Sequence, residues 1–240
     1  MGTNVSLDIP AAMGEEIFDQ VFALLQQIDN RYSPYKKDSE LSKYQRHEIK
    51  ASRELQKIEA DCQRFEKLTD GYFSAYFAGE FNPTGYVKGW AIKQAGEALK
   101  KSGHKTFCLS IGGDILTASD GSKEWNIGIQ DPLNRQKILN KLSIFDGAIA
   151  TSGNYERGQH IVNPISGALA DELLSVTVFG SDIIKADVLA TALFAAGKAA
   201  ERLVGHQRGY ETLIIDGDGQ SHLSSGMQKL LSYSPGSSHS

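Results

Sequence analysis

The chain has 240 residues and a net charge of −4 at neutral pH, with 40% hydrophobic and 22% charged residues. This ordinary globular balance excludes general disorder, and the length allows one large domain with a sizeable core. The acidic balance argues against a broad basic face for nucleic acid. The two cysteines, Cys62 and Cys108, form neither a CxxC motif nor a Cys/His cluster, so the sequence does not predict a structural zinc site.

The two ends of the sequence give expectations about compartment and domain boundaries. No run of about 18 apolar residues occurs, so no transmembrane segment is predicted. Met1 leads into a strand-like stretch without a signal-peptide pattern, which favours a cytoplasmic protein. An exported protein whose leader has been removed is the alternative. We expect one domain over residues 1–231 and a flexible, Ser-rich tail over residues 232–240.

Hydrophobic periodicity predicts the elements in chain order. In the first half it predicts a strand at residues 5–9, helices at 10–32 and 53–69, a helix start at 38–42 and an aromatic strand at 72–77. In the second half it predicts strands at 106–111, 125–129, 139–145, 174–179 and 210–216, and an Ala-rich helix at 183–197. Groups of strands separated by helices predict an α+β fold with mainly antiparallel sheets and packed helices.

Lys88 follows a turn and precedes a predicted helix at residues 91–101, so it lies just before or within the first helical turn. There its ammonium group could meet an anion drawn to the free backbone N–H groups of the helix start. A solvated surface lysine is the alternative.

The segment over residues 147–167 combines a small-residue strand with a polar loop. Residues 148–150 are typical of a buried strand, and residues 151–154 are a turn-forming cluster of hydroxyl groups and backbone donors. Arg157 and His160 follow, and another turn closes the segment at residues 163–167. Together these groups could hold a phosphate and move a proton, although a hairpin with a polar tip is the alternative.

Two further features could serve a ligand. Asp187 and Thr191 stand four residues apart on one predicted helix face, which makes a partial shell for a hard cation such as Mg²⁺. Structural hydrogen bonds within that helix are the alternative for this pair. The paired glycines before Asp114 allow either a close approach of the backbone to a ligand or a simple turn.

Taken in order, these motifs resemble the ApbE family, the FAD:protein FMN transferases. The resemblance covers Met1 to about Gly197 and rests on the stretches MGT, SPY, DSELS, PTGYVKGWA, LSIGGDI, IQDP, IATSGNY, HIVNPISG, SVTV and ADVLATAL. It implies a single T-fold-like α+β domain that binds FAD and a divalent metal. It also implies a reaction in which FMN passes from FAD to a Thr or Ser hydroxyl of a target flavoprotein and AMP is released.

The resemblance also implies roles for individual residues. It places the metal on Asp187, Thr191 and the backbone carbonyl of Gly85. It implies flavin and diphosphate contacts at Met1, Tyr35, Phe73, Ser74, Ala75, Lys88, Thr151, Ser152, Gly153 and Ile161. Asn82 stands where the family commonly has Asp, so it retains an acceptor oxygen but not the negative charge.

The resemblance leaves the proton acceptor and the final acceptor of FMN open. His160 or the carboxylate of Asp114 is the candidate base for the incoming hydroxyl, and Thr151 is counted with them as a candidate catalytic residue. An FAD pyrophosphatase that releases FMN and AMP, or a non-catalytic flavin-binding assembly protein, are the alternative functions. Covalent attachment of flavin to a partner protein separates the transferase from both.

Overall fold

A computed structural model describes residues 3–10, 16–77, 79–153, 161–204 and 207–232. Its main feature is a sheet of seven strands in which every neighbouring pair is antiparallel. In sheet order the strands are β1 (Val5–Asp8), β4 (Phe107–Ile111), β5 (Asp114–Ala118), β8 (Gly147–Gly153), β9 (Leu173–Gly180), β10 (Glu211–Asp216) and β11 (Ser221–Leu223).

Two small antiparallel pairs and seven α-helices accompany this sheet in the described part of the chain. The pairs are β2 (Tyr76–Phe77) with β3 (Glu80–Phe81), and β6 (Trp125–Gln130) with β7 (Ile138–Ile144). The helices are α1 (Glu16–Tyr32), α2 (Glu40–Gln45), α3 (Arg53–Leu68), α4 (Thr84–Lys101), α5 (Ile183–Ala196), α6 (Ala200–Val204) and α7 (Ser225–Ser232), with a 3₁₀ turn at Gly197–Ala199. The predicted mixed α+β class with mainly antiparallel sheet is confirmed.

The central strands of the main sheet are buried on both faces because their side chains alternate between two cores. On β8, Ala148 and Ala150 belong to the larger core, which is built with the helices. Ile149 between them belongs to a second core. That second core joins the sheet to the β6–β7 hairpin and α7, and its members are Trp125, Ile127, Ile129, Leu142, Ile144, Ile149, Leu213 and Met227.

Helix α5 lies in the larger core and positions two of the predicted site residues. Its N-cap is Asp182, whose side chain accepts a hydrogen bond from the backbone N–H of Lys185. Small Ala side chains let α5 pack closely against α4, β8 and β9, so nearly the whole helix is buried. Asp187 and Thr191 therefore face other parts of the protein rather than bulk solvent.

Three local predictions were wrong. Helix α4 begins at Thr84, directly after Pro83, rather than at residue 91, so Lys88 lies beyond its first turn. Residues 72–75 are not a strand, and only Tyr76–Phe77 pairs with β3. Residues 151–153 are not a turn either, because β8 continues through them and pairs with residues 175–177 of β9.

The paired glycines before Asp114 make a turn. Gly112 and Gly113 have φ values of 56° and 84° and connect β4 to β5 as a two-residue hairpin. Positive φ at both central positions is what a tight hairpin of this kind requires. Asp114 is consequently the first residue of β5, paired with Ile111 across the hairpin.

No helix in the residues described above has the length and apolar character needed to cross a membrane. The predicted tail falls almost wholly outside those residues.

Candidate functional site

A cavity of about 300 Å³ brings most of the predicted site residues together. It lies where β8 meets α1, α4 and α5. Its lining includes Tyr35, Phe73, Ser74, Asn82, Gly85, Lys88, Thr151, Ser152, Gly153, Ile161, Asp187 and Thr191. Ala75 and Asp114 do not line it, and Met1 and His160 lie outside the described residues.

At the centre of this site, one lysine is shared by two buried carboxylates. The Lys88 ammonium nitrogen lies 2.7 Å from Asp114 Oδ2 and 3.3 Å from Asp187 Oδ1. The side chains of Asp114 and Asp187 are 0% and 3% exposed, and that of Lys88 is 22% exposed. With both carboxyl groups ionised, one ammonium leaves an excess negative charge in a region of low dielectric.

The pKa values reflect this imbalance. Burial alone would lower the pKa of Lys88, but the charges of Asp187 and Asp114 outweigh burial and raise it above its ordinary value. Burial raises the pKa of Asp187 to about 7; Lys88 opposes this shift and the nearby Asp114 adds to it. Near neutral pH, the negative charge of Asp187 is therefore neutralised either by a bound proton or by a further cation.

Gly89, which the sequence analysis missed, orients Asp187. Its backbone N–H donates to Asp187 Oδ2 at 2.9 Å. A Cβ atom at this position would lie 3.0 Å from Ile184 Cα and 3.1 Å from Asp187 Cβ, so only glycine lets α4 approach α5 this closely. The signal in the sequence was a second glycine four residues after Gly85.

Three oxygen atoms around the cavity have the chemistry of a hard-cation site. They are Asp187 Oδ1, the Thr191 hydroxyl and the carbonyl of Gly85, and carboxylate, hydroxyl and carbonyl oxygens are the ligands that Mg²⁺ takes. In a regular α-helix the Gly89 N–H would donate to the Gly85 carbonyl. Here the Gly89 N–H donates to Asp187 Oδ2, so the Gly85 carbonyl oxygen has capacity to accept from another group. The excess buried negative charge fits a cation as well. The residues described hold no cluster of three or more His, Cys, Asp or Glu that could bind a metal.

Residues 151–153 present a strand edge to the cavity. Pairing of β8 with β5 stops at Ile149, opposite Ile115, and no strand among the described residues pairs with the following residues on that side. The Thr151 N–H points to this edge and donates to Asp114 Oδ1 at 3.3 Å. Because strand backbone groups alternate in direction, the Gly153 N–H faces the same open edge. The predicted backbone donors are thus present, on a strand rather than in a turn.

The hydroxyl groups of this strand are both engaged. Thr151 Oγ1 lies 2.9 Å from Thr177 Oγ1 on β9, and Ser152 Oγ lies 3.3 Å from Thr191 Oγ1 on α5. The second contact ties the strand to the candidate cation site. The first places the Thr151 hydroxyl against the neighbouring strand.

The entrance of the cavity is formed by the loop after α1 and by the start of α4. Tyr35 is 93% exposed there, whereas Phe73 and Ile161 are buried. Asn82 Oδ1 accepts hydrogen bonds from the Thr84 N–H at 3.2 Å and the Thr84 hydroxyl at 2.9 Å. Ala75 contacts the lining residue Asn82 through its carbonyl, which accepts from the Asn82 N–H at 2.6 Å.

An ionic network that the sequence analysis missed braces the wall beside Tyr35. The Arg31 guanidinium donates to Glu40 at 2.7 Å and to Glu54 at 2.9 Å, and the Tyr32 hydroxyl donates to Glu54 at 2.6 Å. These bonds join the end of α1 to the first residues of α2 and α3. Asp29, Tyr32 and Thr3 also line the cavity, and periodicity in the sequence did not distinguish them from ordinary helix and strand residues.

The fold and this cavity define a ligand-binding α+β protein in which a buried acidic pair shares one lysine. The sequence profile of the ApbE family matches residues 1–82 and 78–214, and the chain belongs to that family. It is 25% identical to an FAD:protein FMN transferase of Vibrio cholerae over 261 aligned positions, covering 82% of this chain and 78% of that protein. It is 34% identical to the enzyme of that name from Treponema pallidum, but over only 54% of this chain and 39% of the relative.

Solved structures establish the likeness of fold. The ApbE protein of Thermotoga maritima superposes with a TM-score of 0.84 at 22% identity, with 96% of each chain covered. The flavin transferase ApbE of Vibrio cholerae superposes with a TM-score of 0.81 at 22% identity, again over 96% of each chain.

Proposed function

We propose that this protein transfers FMN from FAD to a Thr or Ser hydroxyl of a target flavoprotein and releases AMP. The observation that carries the proposal is the arrangement of Lys88 and the buried acidic pair at the cavity of an ApbE-family fold. A diphosphate brings negative charge into a chain that is acidic overall, so its binding needs local cations. Lys88 supplies one, and the oxygen atoms beside it suit a second.

In this proposal the reaction is a phosphoryl-group transfer. The acceptor hydroxyl oxygen forms a bond to the phosphorus of the FMN half, and the bond from that phosphorus to the oxygen of AMP breaks. The hydroxyl proton passes to a base, and AMP leaves with the electron pair. Such transfers depend mainly on positioning and on stabilising charge.

The described residues bind and orient the diphosphate. The ammonium group of Lys88 faces the diphosphate, and its raised pKa keeps it positively charged. The open edge of β8 offers the Gly153 N–H, and Asn82 and Tyr35 lie at the entrance for the remainder of FAD.

Asp187, Thr191 and the Gly85 carbonyl would hold Mg²⁺. When bound, the metal neutralises phosphate charge as a Lewis acid. This assignment rests on the donor chemistry of the three oxygens and on the excess buried negative charge.

The base is not assigned to Asp114. Its carboxylate is fully buried and does not line the cavity, and one oxygen faces Lys88 while the other faces the Thr151 N–H, which argues against direct contact with an incoming hydroxyl. His160 stays the candidate for proton acceptance that the sequence suggested.

The test is covalent flavin labelling. The protein is incubated with FAD, Mg²⁺ and a cell lysate, and the products are separated on a denaturing gel and viewed by flavin fluorescence. We expect a fluorescent band other than this chain, which disappears with Asp187→Ala. Consumption of FAD without any fluorescent band would instead indicate a pyrophosphatase, and intact FAD would indicate a binding protein.

A further inference from the structure

Asp114 is a fully buried charge whose two oxygens are both directed at groups of the candidate diphosphate site. Oδ2 pairs with the Lys88 ammonium at 2.7 Å, and Oδ1 accepts the Thr151 N–H at 3.3 Å. The carboxylate itself does not line the cavity. A side chain in this position does not touch a ligand in the cavity, and its contacts reach the ligand through Lys88 and the Thr151 N–H.

The two carboxylates that face Lys88 differ in what else they contact. Asp187 lines the cavity, lies 3.3 Å from the ammonium and also accepts the Gly89 N–H. Asp114 lies closer to the ammonium and away from the cavity. If Lys88 turned away, the charge of Asp114 would be left buried without a cation, which is strongly unfavourable. Asp114 is therefore the closer partner of the ammonium, and no other cation contacts its carboxylate among the contacts of the described residues.

We propose that Asp114 is a positioning residue that holds the Lys88 ammonium at the cavity, ready for the diphosphate of FAD. This inference rests on the proposed function, because it takes FAD as the ligand. Binding is stronger when a side chain is held in its bound arrangement beforehand, since less freedom is lost on association. Asp114 thus favours an anionic ligand although it is itself an anion.

The proposal predicts a sign opposite to that of simple electrostatics. Removing a negative charge close to a diphosphate should strengthen FAD binding by Coulomb's law alone. If the main role of Asp114 is to hold Lys88, its removal should weaken binding. The effect of removing the Asp114 charge on FAD binding should also depend on Lys88. Without the lysine, only the direct repulsion between Asp114 and the diphosphate is left.

The experiment is a double-mutant cycle on FAD affinity, measured by flavin fluorescence titration in EDTA. It uses the wild type, Asp114→Asn, Lys88→Met and the double variant. Asn has nearly the same shape as Asp and can still accept the Thr151 N–H, so the substitution removes mainly the charge. Riboflavin, which lacks the diphosphate, is the matched control ligand, and thermal unfolding checks that each variant is folded. Asp114→Ser is the second variant if Asp114→Asn does not fold.

We expect Asp114→Asn to raise the Kd for FAD roughly tenfold, the effect of one charge-assisted contact, and to leave the Kd for riboflavin unchanged. In the Lys88→Met background the same substitution should leave the Kd for FAD unchanged or lower it. An unchanged or tighter FAD complex in the single variant would overturn the proposal. Equal weakening in both backgrounds would also overturn it, because Asp114 would then act without Lys88. Equal affinity of the wild type for FAD and riboflavin would overturn it as well. The cycle needs no acceptor protein, so it can succeed even if covalent transfer fails.

Discussion

The two faces of the main sheet are buried in different ways. The face toward the β6–β7 hairpin and α7 is covered by an apolar layer that includes Trp125, Leu142 and Met227. The face toward α4 and α5 also has an apolar core, but Asp114, Asp187 and Lys88 are placed at its edge beside the cavity. Buried ion pairs are weak contributors to stability because removing charges from water is costly. We therefore attribute stability mainly to the apolar layers and function to the charged cluster, and substitutions can separate the two.

The largest effect is expected from Asp187→Ala. It removes the carboxylate of the candidate cation site, and a metal contribution of several kcal/mol corresponds to roughly a thousandfold in rate. Flavin transfer should fall by about that factor while the protein unfolds as cooperatively as before. Asp182→Asn is the matched control, because Asn at this N-cap can still accept the Lys185 N–H, and it should keep most of the activity. A normal transfer rate for Asp187→Ala in Mg²⁺ would show that the cation site is misplaced.

The converse substitution is Leu142→Ala in the apolar layer. Leu142 is completely buried on β7, so truncation should lower the free energy of unfolding by about 2–5 kcal/mol. The folded protein should keep its affinity for FAD and its rate of transfer. Denaturant unfolding and FAD titration measure the two quantities. Leu139→Ala, at a partly exposed position of the same strand, is the control and should change stability by less than about 0.5 kcal/mol. A large loss of FAD affinity in Leu142→Ala would contradict the separation of the two faces.

A smaller effect on binding is expected from Lys88→Ala. Loss of one charge-assisted contact should weaken FAD binding by about 1.5–3 kcal/mol. Affinity for riboflavin should be unchanged. Removing the ammonium also relieves the protein of one partly buried charge but leaves two carboxylates unpaired, so unfolding must be measured in parallel. If neither FAD affinity nor the transfer rate changes, Lys88 is only a structural partner of the two carboxylates.

The smallest effect concerns pH. Asp187 has an ordinary pKa of 3.8 that is raised to about 7 in the folded protein, so a bound cation must displace its proton at lower pH. Mg²⁺ affinity measured by calorimetry should rise as the pH increases from 6 to 7, by at most about tenfold per pH unit, and level off above. The stability of the metal-free protein should change in the opposite direction. A carboxyl with a raised pKa stabilises the fold in acid, and this contribution is lost as the pH rises through about 7. Metal affinity that is independent of pH over this range would contradict the raised pKa of Asp187 in the metal-free protein.

Long periodic segments were predictable from the sequence, and boundaries near the site were not. Residues 53–69 were predicted as a helix and α3 spans Arg53–Leu68, because its apolar face repeats regularly and Ser52 caps its start. The start of α4 was missed because Gly85 and Gly89 weaken the helical pattern, although Pro83 marked the position. In the structure, Gly85 lies against the Phe73 ring and Gly89 lies against α5, where a larger residue would be crowded.

The polar segment after Ala150 shows how tertiary pairing overrides local preference. Thr, Ser, Gly and Asn in succession favour a turn, yet pairing with β9 extends the strand through Gly153. Most of the residues predicted from motifs and from the family resemblance line the cavity, but several other lining residues and the contacts among them were not predicted. Asp114 and Lys88 are distant in sequence and meet only because α4 packs against β4 and β5, which no local pattern reveals.

The central claim is that this cavity transfers FMN to a protein rather than to water. The most direct measurement counts AMP released and flavin bound to protein in the same reaction, with and without an acceptor flavoprotein. A docked hydroxyl has a large proximity advantage over water. We therefore predict one protein-bound flavin for each AMP when acceptor is present, and slow AMP release without it. AMP release at the same rate in both reactions, with no flavin bound to protein, would contradict the account.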